Sequence, residues 1–106
     1  MPKTKQYKVI ISPELNSMLE QHVAFLASQD ISAGEQLHNK IIKAIKSLET
    51  FPERYPILEY HNLNIEFRKM YVPNWYLLIY EIEQDIVKMQ YMIDCRQDYM
   101  WLLEEK

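Results

Sequence analysis

Residues Asn64 to Arg96 read NIEFRKMYVPNWYLLIYEIEQDIVKMQYMIDCR, and the periodicity of this stretch decides the fold. Side chains alternate between two faces along a strand, so a period of two marks a half-buried strand. Ile65, Phe67, Lys69 and Tyr71 form one set, and Glu66, Arg68, Met70 and Val72 form the other. Pro73-Asn74 is a turn signal. Trp75 to Ile82 is almost wholly apolar, the composition of a central strand covered on both faces. Glu83-Gln84-Asp85 supplies the next turn. From Ile86 to Arg96, the residues Val87, Met89, Tyr91, Ile93 and Cys95 share one face, which the pattern assigns to the core. Lys88, Gln90, Met92, Asp94 and Arg96 share the other, open face. The stretch predicts a three-strand meander with hairpin turns.

Upstream of the meander the period becomes helical. Tyr7 to Ser12 first makes a short strand, with Tyr7, Val9 and Ile11 alternating against Lys8 and Ile10. Ser12-Pro13-Glu14 then starts a helix, because Ser12 can accept from free amides and Pro13 suits a first position that needs no donor. Leu15, Met18, Leu19, His22, Val23 and Leu26 follow at helical spacing, so one face is apolar to about Ala27. His22 on that face reads as a structural histidine. Ser32-Ala33-Gly34-Glu35 has the spacing of a capping box. Leu37, Ile41, Ala44, Ile45 and Leu48 form a second apolar stripe, ending near Thr50, where Pro52 and Pro56 bar further helix. The fold class is therefore α+β. The order is β-α-α-β-β-β, a small twisted, mainly antiparallel sheet with a two-helix hairpin on one face.

The chain has 106 residues, 48% hydrophobic and 25% charged, which suits a single domain over residues 1–106. One cysteine, Cys95, excludes an internal disulfide, and His22, His38 and His61 are too scattered for a zinc site. One glycine, Gly34, excludes glycine-rich phosphate loops and dinucleotide fingerprints. No cofactor and no metal are expected. No apolar run approaches the roughly 18 residues of a membrane span, so no membrane contact is expected and a reducing, cytoplasmic setting fits. The net charge of −3 argues against a dedicated nucleic-acid binder. Lys40, Lys43 and Lys46 recur every third residue on the second helix, a solvated face that could also meet a partner.

The element order, with four local patterns, resembles the RelE/ParE family of bacterial toxins from type II toxin–antitoxin pairs. The patterns are YKVIISPE at the start, AIKSLETFPERYP at the end of the second helix, FRKMYVPNWYLLIYEI across the first hairpin and MIDCRQDYMWLL at the end. The resemblance implies a cognate antitoxin that wraps and neutralises the toxin, with operator DNA contacted only through that antitoxin. It implies two toxic modes: RelE-like members cut messenger RNA on the ribosome, and ParE-like members poison DNA gyrase.

The residues weigh these modes differently. Cutting a phosphodiester through its 2′-hydroxyl needs a base, an acid and positive charge aimed at the phosphorane. Arginine supplies only the charge. Arg96 matches the arginine that RelE-like nucleases carry at the end of the last strand, and Arg68 stands where they have a lysine. Met70 stands where another lysine is expected, and Trp75-Tyr76-Leu77 where a further arginine is expected. Arg68 and Arg96 fall in even register and could share the open face. Glu59 and His61 could serve as the carboxylate and histidine of other nuclease subgroups, or lie in an ordinary polar loop. The RKMYVPNWYLLIYEI and DCRQD stretches are closer to ParE-like members. Gyrase binding is thus the first expectation, an mRNA endonuclease the alternative, and a non-toxic antitoxin-binding member the third. Asp94 or Asp98 could instead pair with Arg96 as a structural stitch. Tyr99 is a candidate at the catalytic site. Tyr99 and Trp101 are also candidate partner anchors, or else the core of a short C-terminal helix.

Overall fold

Ser12 sets the direction of the first helix. Its backbone is extended (φ −69°, ψ 155°) and its Oγ accepts from the Leu15 N–H at 3.0 Å. Helix α1 (Pro13–Gln29) grows from that cap, with Pro13 at its first position. The computed structural model describes residues 5–58, 66–73 and 76–95. Asp30 joins the two helices alone. Its N–H donates to Leu26 O at 2.8 Å, closing α1, and its side chain accepts from the Ser32 N–H at 3.0 Å, opening α2 (Ile31–Lys46). The expected capping box is therefore displaced. Ser32 lies within the first turn, because an aspartate two residues earlier is already extended (φ −158°, ψ 110°) and reaches the free amide first. After Lys46 the chain tightens into a 3-10 turn, Ser47–Glu49, and after Phe51 into another, Pro52–Arg54.

Among the described residues, five strands follow one another across the sheet in the order β1-β5-β4-β3-β2. They are β1 (Lys8–Ile11), β2 (Ile57–Leu58), β3 (Phe67–Val72), β4 (Tyr76–Glu83) and β5 (Ile86–Asp94). β1 runs parallel to β5, and the other pairs are antiparallel. The α+β class, the meander and the helix pair agree with the expectation from sequence. The two-residue strand β2 is an addition that no periodicity could announce. The C-terminal helix expected from sequence, and residues 74 and 75 of the first meander turn, lie outside the described residues.

One register shift overturns the face assignment of β5. Tyr80 pairs with Met89, but its neighbour Ile79 pairs with Tyr91, so Gln90 is an extra residue on β5. Such a bulge reverses the parity of everything after it. Val87, Met89 and Met92 all belong to the core under the helices, whereas Ile93 and Cys95 pack with Leu58, Leu77 and Ile79 on the opposite face. The expectation that Cys95 faces the core and Met92 and Asp94 the open face is thus reversed. Asp94 is buried, and its carboxylate lies 4.0 Å from His22 Nδ1 on α1. Hydrogen bonds hold the bulge from both sides. Ser12 N–H donates to Met89 O at 2.9 Å, Ser12 Oγ to Gln90 O at 2.8 Å, and Gln90 Nε2 to Glu81 Oε2 at 2.8 Å. One side chain, Ser12, therefore caps α1 and pins the bulge.

The main core lies between the helices and the sheet. Leu15, Ile41, Leu48, Leu78, Tyr80, Val87 and Met89 are fully buried there. Each such side chain gains about 1.5–3 kcal/mol from leaving water. Gly34 lets the helices approach closely: a Cβ there would meet Ala27 Cβ at 2.8 Å and Val23 O at 2.9 Å.

Candidate functional site

With the helices on one side, no described helix covers the other face of the sheet. Strand parity places side chains on it. β3 offers Phe67, Lys69 and Tyr71, because their cross-strand partners Glu81, Ile79 and Leu77 point the same way. Arg68 pairs with Tyr80, which is in the helix-side core, so Arg68 lies on the helix side with Met70 and Val72. The expectation that Arg68 faces the open side is corrected here.

Arg68 is occupied in its own loop. Its Nη1 donates to Glu53 O at 3.0 Å and Tyr55 O at 2.8 Å, and its Nη2 lies 3.9 Å from Glu66 Oε1. Arg54 behaves alike. It donates to Thr50 O at 2.5 Å, to Phe51 O at 2.9 Å and to Ser47 O at 3.4 Å. These carbonyls belong to two 3-10 turns and the segment after them; Ser47 O and Phe51 O also accept long bonds from the Thr50 and Arg54 N–H groups, and the two guanidinium groups add the remaining donors. Tyr80 completes the clamp. Burial pushes its phenol well above the ordinary range, and the retained proton donates to Pro52 O at 2.7 Å.

On the open face a cleft of about 470 Å³ remains. Leu58, Leu77 and Cys95 form its apolar floor, and Tyr55, Pro56, Lys69 and Tyr71 its walls. Lys69 is held at the site by its strand, whose Lys69 N–H donates to Pro56 O at 3.0 Å. Its ammonium has no ion-pair partner among the described residues. Burial, and then the charge of Asp94, push the Cys95 thiol above its ordinary value, so the thiol stays protonated and poorly nucleophilic. The described lining thus carries one amine, two phenols and one protonated thiol around apolar carbon. That set can grip an apolar or aromatic group and pair one anion beside it.

Of the residues proposed from sequence, the structure places Arg68, Lys40 and Lys43. Lys40 and Lys43 are exposed on α2, away from the cleft. Arg96, Glu59, His61, Tyr99 and Trp101 lie outside the described residues. The site residue that sequence reasoning missed is Lys69. Its signal was available: Lys69 shares parity with Phe67 and Tyr71, whereas Arg68 shares parity with the apolar Met70 and Val72. Among the described residues no His, Cys, Asp or Glu side chains gather as a metal ion requires, and no helix is long and apolar enough to cross a membrane.

A helix pair on one face of a mainly antiparallel sheet, with a cleft among the described residues on the other, defines a small α+β domain. Residues 9–99 match the family described as ParE toxin of type II toxin-antitoxin system, parDE, and the chain belongs to that family. The fold is also similar to a chain of the chromosomal ParDE TA system from P. aeruginosa. The two share a TM-score of 0.70 at 6% identity, over 86% of this chain and 98% of the other. No curated protein matches the sequence.

Proposed function

We propose that the protein is the toxin of a type II pair that arrests bacterial growth by binding DNA gyrase, and that a cognate antitoxin neutralises it in the cytoplasm. The observation that carries this reading is the makeup of the open face. A nuclease needs several cations converging on a phosphate. Among the described residues one lysine lines an apolar floor there, while Arg68 is turned to carbonyls on the other side of the sheet. An apolar floor and aromatic walls with one charge among the described residues suit a protein segment.

The test is a supercoiling assay with purified protein and gyrase. The expected result is loss of supercoiled product in the presence of the wild-type chain, relieved by Lys69→Ala. Unimpaired supercoiling at a large excess of wild-type protein would overturn the reading. Codon-linked cuts in a toe-printing assay on translating ribosomes would establish the mRNA endonuclease in its place. Copurification with the product of the adjacent reading frame tests the antitoxin.

A further inference from the structure

A second cleft lies at the end of the molecule where the 3-10 turns meet the start of β1. Tyr7, Phe51, Glu53 and Lys5 line it, around about 250 Å³. Phe51 is the unusual member. It is 59% exposed, yet its backbone sits in the left-handed region (φ 51°, ψ 57°), where a bulky side chain is strained. The surroundings hold it there from both sides. Arg54 grips the Thr50 and Phe51 carbonyls, Tyr80 the Pro52 carbonyl and Arg68 the Glu53 carbonyl. Glycine would adopt this φ without strain. A rigid mount thus presents a phenyl ring to solvent, where the ring adds little to folding.

The other members define what the ring would meet. Glu53 Oε2 accepts from the Tyr7 hydroxyl at 2.5 Å, and the Glu53 side chain is exposed at the rim of the cleft. Lys5 Nζ lies 5.0 Å from the Tyr7 ring centroid, so one aromatic face here already carries a cation. Asp85, 3.0 Å away, offsets the charge of Lys5. Two aromatic rings beside a carboxylate make an environment for a flat cation.

We propose that this cleft takes an arginine side chain of a protein partner, its guanidinium against Phe51 and forked onto Glu53. An apolar side chain would desolvate the carboxylate without replacing its hydrogen bonds. An anion would be repelled by Glu53. A lysine ammonium is more strongly hydrated and cannot stack or fork, so arginine is preferred. The proposal is independent of gyrase, since it concerns a different cleft and any partner that carries the side chain.

The test is an amide-shift titration of the isotope-labelled full chain with N-acetyl-arginine amide, against the lysine, norleucine and glutamate analogues. The arginine probe is expected to shift the signals of Tyr7, Phe51 and Glu53 saturably, ahead of lysine, with norleucine and glutamate inert. Glu53→Gln is expected to weaken the arginine probe about tenfold, the scale of one lost charge-assisted hydrogen bond. Phe51→Gly is expected to weaken it as well, with a melting temperature no lower than wild type. A lowered melting temperature with unchanged binding in Phe51→Gly would make Phe51 a structural residue and overturn the proposal. Equal shifts from norleucine, unchanged binding in Glu53→Gln, or no shift at the probe's solubility limit would overturn it too.

Discussion

Arg68 and Lys69 are neighbours in the chain and opposites in role, because consecutive strand residues face opposite sides. Arg68 satisfies two carbonyls that have no other donor among the described residues, at 3.0 and 2.8 Å. Arg68→Ala is expected to lower the unfolding free energy by about 0.5–1.5 kcal/mol for each bond lost, since the acceptors are exposed or half-buried and water can partly replace the donor. Arg68→Lys is expected to recover only part of it, since an ammonium cannot reproduce the fork. Urea unfolding measures both. Lys69 has the reverse profile: its head group makes no ion pair among the described residues. Lys69→Ala is expected to change unfolding free energy by less than about 0.5 kcal/mol while relieving the growth arrest proposed for the wild-type chain. A large loss of stability in Lys69→Ala would move that residue from the site to the scaffold.

Elements show what could be read beforehand and what could not. Both helices were legible from apolar spacing, and α1 also from Ser12-Pro13, since those signals act within one turn. Sheet register was half legible. Alternation holds from Ile86 to Met89 and fails at Gln90, because a bulge depends on a tertiary clip, Ser12 Oγ to Gln90 O. The run Tyr91-Met92-Ile93, three large apolar residues in a row, was the one local sign that parity breaks. β2 was illegible because two residues have no periodicity. The faces of Arg68 and Cys95 went astray for related reasons: parity in one strand says nothing of which side the helices cover, and it does not survive a bulge. Two element-level outcomes follow from geometry. Ser12→Ala removes the α1 cap and the bulge clip together, and is expected to cost about 1–3 kcal/mol by urea unfolding. Gly34→Ala adds a methyl against Ala27 Cβ and the Val23 carbonyl. The backbone oxygen cannot yield cheaply, so a loss of about 1–3 kcal/mol is expected despite the better helix propensity of alanine. A Gly34→Ala variant as stable as wild type would show that α1 and α2 slide apart freely.

At the scale of the whole molecule, the charged groups set a pH window. The Tyr7 hydroxyl holds the Glu53 carboxyl below its ordinary 4.5, and Lys88 does the same for Glu83. A lowered folded value gives stability that is present above 4.5 and lost as pH falls through the folded values. On the alkaline side every resolved shift is upward. Burial raises the Cys95 thiol above 9.0 and the Tyr80 phenol above 10.0; Glu53 raises the Tyr7 phenol above 10.0. Asp85 and Glu83 raise the Lys5 and Lys88 ammonium groups above 10.5. Each group holds its proton more tightly folded than unfolded, so its contribution is full below the ordinary value and is lost as pH rises through the folded one. These shifts are expected to lower the melting temperature as pH falls below 4.5 and again as it rises above 9.0. A curve still rising at about pH 10 would contradict these signs. The parallel pairing of β1 with β5 has a further consequence, in time rather than energy. Ser12 and Gln90, which clip the two strands together, are 78 residues apart. Contacts of such separation form late and slowly. While the chain is being made, β1 has no strand to lie against until nearly all of the described sheet has emerged. The fold closes only with its last strand, so a half-synthesised copy of this ParE-family chain cannot assemble its open face in the cell that is making it.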